Sequence, residues 1–249
     1  MGTLVPNRTN QKMIQQANAL RAADLKKQFG VYGHFYRTLL AGQEHACRSV
    51  LTLIAHDHTP STLQDLEQKE PDLLVVMMNP GSSRPLDKTY EIPFVEDPTT
   101  GLEQRNWVAT QPDNTQYQIM RVMAAMSYQH ARVMNISDLR ETKSPRLIAL
   151  VKDLAEQPGG GMHALFAPGR SKECQGLMGT DRSTPVLVGW GRHKGLLPLV
   201  QQAMQTLQGR PMVGVPVEGQ PMLFAHPSPM LQKMKEAWLS QIVQRLREL

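Results

Sequence analysis

Cysteine is scarce in this chain: two in 249 residues, Cys47 and Cys174. They lie far apart and form no C-x-x-C pair, so neither a zinc site, an iron–sulfur cluster nor any other metal is expected. Two buried thiols in a reducing cytosol is the reading, rather than a disulfide. Aromatic residues are few as well, 5 % of the chain, which leaves packing to aliphatic side chains and 15 Met. No apolar run approaches the length needed to span a membrane. The opening "MGTLVPNRTNQKM" has no apolar segment of the signal-peptide kind. A cytoplasmic protein with no membrane partner is expected. The absence of G-x-x-x-x-G-K-[ST] excludes a Walker-type NTPase. The absence of G-x-S-x-G argues against a serine hydrolase built on Ser82, Ser83 or Ser228. No cofactor is expected.

What is present fits one large α/β unit. Lys plus Arg number 27 against 22 Asp plus Glu, a net charge of +5, which suits a polyanionic partner without requiring one. Asn10–Ala46 reads as helical, with Met13, Ile14, Ala17, Leu20 and Leu25 near helical spacing. Its Arg21, Lys26, Lys27, Arg37 and Tyr32/Phe35/Tyr36 suit an amphipathic layer on a core, or a basic aromatic surface on DNA. Pro60 and Ser61 offer a further helix start in Thr59–Gln68. Residues 1–70 are therefore expected as a helical extension packed on an α/β domain over 71–249.

In that domain four apolar runs read as buried strands: "LLVVMMN" (73–79), "HARVMNI" (130–136), "PVLVGWG" (185–191) and "PMLFAHP" (221–227). Helical stretches separate them: Gln116–Tyr128, Ser144–Ala155, Gly195–Leu207, and a last one from about Pro229 to Leu249. The alternation predicts a three-layer α/β/α fold around a central, mostly parallel four-stranded sheet. Two long polar stretches, Arg84–Pro112 and the Gly-rich Gln157–Thr184, read as loops with a functional part to play.

Strand ends carry the functional signal. The first run delivers Asn79-Pro80-Gly81, the second Asn135, the third Trp190-Gly191 and the fourth His226-Pro227-Ser228-Pro229. In a parallel sheet those ends share one edge, where open α/β sheets keep their ligands. Asn before Pro also starts ordinary turns, and an isolated His is usually structural. Three such residues on one edge point to a shared site.

"AHPSPM" resembles the His-Pro-Ser-Pro-Leu loop of the uracil-DNA glycosylase superfamily, and "MMNPGSS" is similar to the Asn-Pro-Gly motif of its mismatch-specific branch. "VMNISDLRETKSP" resembles the strand with that family's base-reading Asn, and "VLVGWGRHK" its Trp-Gly strand. The blocks come in the family's order and cover about Leu73–Met230. They are also similar to a group of uncharacterised bacterial proteins with an Asn-Pro-Ser motif and a late His-Pro.

The resemblance implies a uracil-DNA-glycosylase-like fold and cleavage of the N-glycosidic bond of a nucleotide flipped out of DNA. His226 is then expected to stabilise charge on the departing base, and Asn79 to hold the water. Asn replaces the Asp of the uracil enzymes there, and an amide orients water without taking its proton. Asp87, Glu91, Glu96 and Asp97 are candidates to supply the missing acid. Asn135 reads the base edge, with Pro80, Gly81, Ser82 and Trp190 around the base and Phe94 or Trp107 stacking on it. Ser83, Arg140, Lys143, Arg170, Lys172, Arg192 and Ser228 are the expected DNA contacts; Ser228 also suits a helix N-cap. Small residues after Asn79, where the uracil enzymes carry a Tyr, imply a roomier pocket. That suggests a C5-modified pyrimidine, hydroxymethylated or glucosylated, and hence a part in anti-phage defence. No Lys stands at a strand end in these blocks, so no Schiff-base lyase step is expected. A nucleotide- or nucleoside-binding protein, or a small-molecule hydrolase, on the same fold is the alternative.

Overall fold

The computed structural model of the protein describes residues 8–100, 102 and 105–249. The first seven residues, on which the missing signal segment was read, lie outside the described residues, as do Gly101, Glu103 and Gln104 of the long polar stretch.

The chain opens with two helices, α1 (Arg8–Ala19) and α2 (Ala22–Gln28), and then turns to sheet. β1 (Phe29–Leu40) and β2 (Gln43–Ala55) form a long antiparallel hairpin around Ala41-Gly42. After a short 3-10 turn at Leu63–Leu66 come β3 (Leu73–Met77), β4 (Arg84–Pro85) and β5 (Val108–Gln111). Then follow α3 (Asn114–Met126), β6 (His130–Asn135), α4 (Ser144–Ala155), α5 (Ser171–Met178) and β7 (Val186–Gly189). The chain continues through α6 (Leu197–Thr206), β8 (Met212–Val213), β9 (Pro216–Val217), β10 (Gln220–Phe224) and α7 (Gln232–Arg247).

The fold is α/β, but its sheet has eight strands in the order β4-β5-β1-β2-β6-β3-β7-β8, not four. Only the β6-β3-β7-β8 part is parallel, and β2 adds the hairpin antiparallel to β6. The expectation fails at two places. Helix periodicity over Asn10–Ala46 holds only to Gln28. Beyond it "FGVYGHFYRTLL" is rich in β-branched and aromatic residues and is buried on both sides, a strand pattern. Residues 29–55 are thus part of the sheet rather than a helical extension beside it. The 221–227 run is also displaced: β10 pairs with β9 in a separate two-stranded ribbon, and the fourth parallel strand is the two-residue β8. The long polar stretch supplies the edge strand β4 and its neighbour β5, and Gln157–Thr184 holds α5, so neither is structureless.

Alternation along the strands builds the two cores. Leu74 and Val76 of β3 face α4, α5 and α6, joined by Leu147, Leu177 and Val200. Leu73, Val75 and Met77 face α1, α3 and α7, joined by Ala17, Ile119 and Trp238. Burial contributes about 1.5–3 kcal/mol per Leu or Val side chain, so β3, buried throughout, admits no polar group before Asn79. Cys47 and Cys174 are buried free thiols, both pushed up to about 12 by burial and therefore unreactive. Among the described residues no helix is long and apolar enough to cross a membrane.

Candidate functional site

From β3 the chain crosses through α3 to β6 on one side, and from β7 through α6 to β8 on the other. The switch point between β3 and β7 opens a crevice beyond the strands' carboxyl ends, where such sheets bind ligands. A cavity of about 620 Å³ lies there, lined by Asn79, Asn135, Trp190, Gly191 and His226. Pro80, Gly81, Ser82, Arg192 and Ser228 also line it. Asn79 and His226 are 147 positions apart in the chain and share this cavity.

Each side chain is held by its neighbours. Asn79 Nδ2 donates to the carbonyls of Leu139 (2.9 Å) and Glu141 (2.7 Å), which fixes the amide with its oxygen as the free pole. Gly81 has φ +61°, a left-handed conformation suited to glycine, and it turns the chain across the cavity mouth. His226 follows β10, which the Gly191 N–H fastens by donating to Phe224 O at 2.8 Å. Trp238 Nε1 donates to Ala225 O at 3.1 Å. Gly189 lets the loop close in: a Cβ there would meet Pro227 Cδ at 3.0 Å and Met77 Sδ at 3.2 Å.

Burial lowers the His226 pKa, against the opposing field of the Asp113 carboxylate, so the ring is neutral near pH 7. Its Nδ1 accepts from the Ser228 N–H at 3.2 Å, which places the proton on Nε2. A neutral donor is thus available, and Ser228 positions it.

Asn135 is fully buried, and its amide is engaged. Oriented to suit its neighbours, Nδ2 donates to the Asn79 main-chain oxygen (3.2 Å) and Oδ1 accepts from Arg48 Nη2 (3.1 Å). Both poles have protein partners, so Asn135 braces the strand ends. Trp190 is likewise buried beneath the cavity, donating to Met222 O (2.9 Å) and set edge-on to Phe224.

Several expected contacts lie elsewhere. Phe94 is 43 % exposed and bridges to Arg37 at the sheet margin, away from the cavity lining, and Trp107 is core. Arg170 is 1 % exposed, with Nη1 paired to Asp138 (2.7 Å) and Nη2 to Glu173 (2.8 Å). An arginine so enclosed reaches no DNA; it joins loops and helix α5 to the β6 end. Lys172 lines a separate recess with Glu67, Arg105 and Glu173. The Ser83 hydroxyl is buried outside the lining, and its carbonyl accepts from Arg140 Nε (3.0 Å), whose guanidinium lies over the Phe35 ring. Lys143 is exposed at the start of α4, between the lining residues Thr142 and Ser144. Asp87, Glu91, Glu96 and Asp97 do not line the cavity. The aromatic N-terminal surface is also inside: Phe35 and Tyr36 are buried.

Arg48 and Asp113 line the cavity and carried no sequence signal of a site. Arg48, on β2, is 1 % exposed. Its Nε and Nη1 are buried without a partner, and it makes no ion pair among the described residues. Burial draws its pKa down to about 10, with Asp113 the first charge opposing that fall, so it remains a cation. Asp113 caps α3: its Oδ1 accepts from the N–H groups of Thr115 (2.8 Å) and Gln116 (3.2 Å). Pro112-Asp113 before a helix, with Gln at the third helical position, is legible as a capping box and as nothing more.

Comparison with protein-family models, curated proteins and solved structures finds no match to this chain.

Proposed function

We propose that the protein is a monofunctional DNA glycosylase of the uracil-DNA-glycosylase type. It hydrolyses the N-glycosidic bond of a flipped-out, C5-modified pyrimidine, hydroxymethylated or glucosylated, in defence against phage. The observation that supports this most is the shared cavity of Asn79 and His226, at the switch point where such sheets hold ligands. His226 offers a neutral Nε2–H to the oxygen on which negative charge gathers as the base departs. A donor of that kind contributes on the order of 10²–10³ in rate. The Asn79 amide oxygen is free to orient a water, and Gly81 and Ser82 leave room beside the base.

Arg48 adds a reason to favour an anionic transition state. A buried cation without an ion pair is costly unless something negative approaches it. Arg48 is enclosed, so it would act on a departing base through its field in the cavity it lines and not by direct contact with DNA. Arg192 at the cavity rim and Lys143 beside it are placed for the DNA backbone. Asn135 takes a bracing role in this reading.

A cleavage panel tests the proposal. DNA containing uracil, mismatched thymine, hypoxanthine, 5-hydroxymethyl pyrimidines or glucosylated cytosine is incubated with pure protein and scored for alkali-labile abasic sites. The expected outcome is abasic sites on the C5-modified class, lost with His226→Ala and Asn79→Ala. Silence on every substrate would overturn it, and silence without salt-sensitive DNA binding would favour the alternative of a nucleotide-binding protein or small-molecule hydrolase.

A further inference from the structure

Water activation is the step that Asn79 leaves open, since an amide cannot accept the proton that an attacking water must lose. Two carboxylates line the cavity, Asp113 and Glu141. Glu141 is the less suited. Its Oε1 accepts from the Lys143 N–H at 2.8 Å, and its own carbonyl is bound to Asn79 Nδ2, so its backbone serves the wall. Asp113 stands differently. Oδ1 takes both capping bonds of α3, which locks the carboxylate and leaves Oδ2 free of the cap. Oδ2 faces the turn after Asn79: a Cβ on Gly81 would lie 3.9 Å from it. Asp113 is also the carboxylate whose charge His226 senses. Arg48, with its buried unpartnered Nε and Nη1, lies in the same cavity and senses Asp113 too.

We propose, on the glycosylase reading above, that Asp113 is the general base of the reaction, with Asn79 as its partner in holding the water. The water oxygen bonds to C1′ of the deoxyribose as the C1′–N bond breaks, and that electron pair leaves on the base. The water proton passes to Asp113 Oδ2. His226 Nε2–H donates a hydrogen bond to the base oxygen while charge builds there. The released base is then protonated from solvent, to which Asp113 returns its proton. The helix cap is what holds the carboxylate rigid for this.

Asp113→Asn separates the two roles. The Asn side-chain oxygen still accepts from Thr115 and Gln116, so the cap persists, but the base is gone. Single-turnover cleavage by Asp113→Asn is expected to fall 10²–10⁴-fold, with the unfolding midpoint and DNA affinity unchanged. Asp113→Asn within threefold of wild type, or a loss confined to Glu141→Gln, would overturn the assignment while leaving the glycosylase standing. A wild-type protein that cleaves no substrate of the panel would remove the glycosylase reading and Asp113's role together.

Discussion

Replacing Arg48 by Met removes a guanidinium that is buried without an ion pair and keeps the length of its stem. Two of its nitrogens, Nε and Nη1, are buried without partners. Each unsatisfied buried donor costs about 1–3 kcal/mol, so relief contributes about 2–6 kcal/mol. Against this stands the bond from Nη2 to Asn135 Oδ1 at 3.1 Å, a charged hydrogen bond of about 1.5–3 kcal/mol. Taken at mid-range, the net is a stabilisation of about 2 kcal/mol, within the range seen when buried charges give way to apolar side chains. For a chain of this size that raises the midpoint by roughly 4–8 °C. On the proposed glycosylase reading, cleavage should fall in the same variant, because a cation lining the cavity is gone. Thermal unfolding of both proteins, followed by single-turnover cleavage, measures the two effects. A variant less stable than wild type would show that Arg48 is structural, and a more stable one of full activity would show that its charge does not serve the reaction.

Arg170→Ala is expected to destabilise by about 3–5 kcal/mol in denaturant titration, because it leaves Asp138 as an unpaired charge in the interior and strips Glu173 of one of its two arginine partners, Arg105 remaining. Arg192→Ala should leave stability alone and reduce the salt slope of DNA binding by about one. Acid should unfold the protein early. Burial draws His130 and His163 down to about 4 and His34 to about 3, whereas the unfolded chain titrates near 6.5. Stability from their neutral burial is complete above about pH 6.5 and is lost as pH falls below it, since at these three rings only the unfolded chain then takes up protons. At pH 5.5 the three together cost about 4 kcal/mol, and a midpoint that stays level between pH 7 and 5.5 would contradict this. Gly189→Ala forces Pro227 from its seat against the strand. It should lower the cleavage rate at least tenfold while costing about 1–3 kcal/mol in stability, separable by unfolding and single-turnover assays.

The strands β3, β6 and β7 and the helices α3, α4, α6 and α7 were legible in the sequence. Buried parallel strands are short unbroken apolar runs, and their covering helices repeat at 3.6 residues whatever surrounds them. Asn79 and His226 were legible for the same reason, as polar residues where such runs stop. The hairpin over 29–55 was not. A long strand buried on both faces has no two-residue alternation to mark it, and its Tyr32, Phe35, Tyr36 and Arg37 suited a helix surface. Charge was equally opaque. Arg48, Arg105, Arg132 and Arg170 count toward the basic balance yet are buried, and burial depends on which strands become neighbours. Asp113 reads in one dimension as a helix cap. Pairing through the sheet and the close approach of Pro227 to Gly189 set it beside Asn79 and His226 in one cavity. Local sequence determined which segments could be strand or helix and where their polar ends fell. Tertiary contact decided which of those ends meet, because convergence is a property of distances between residues far apart in the chain.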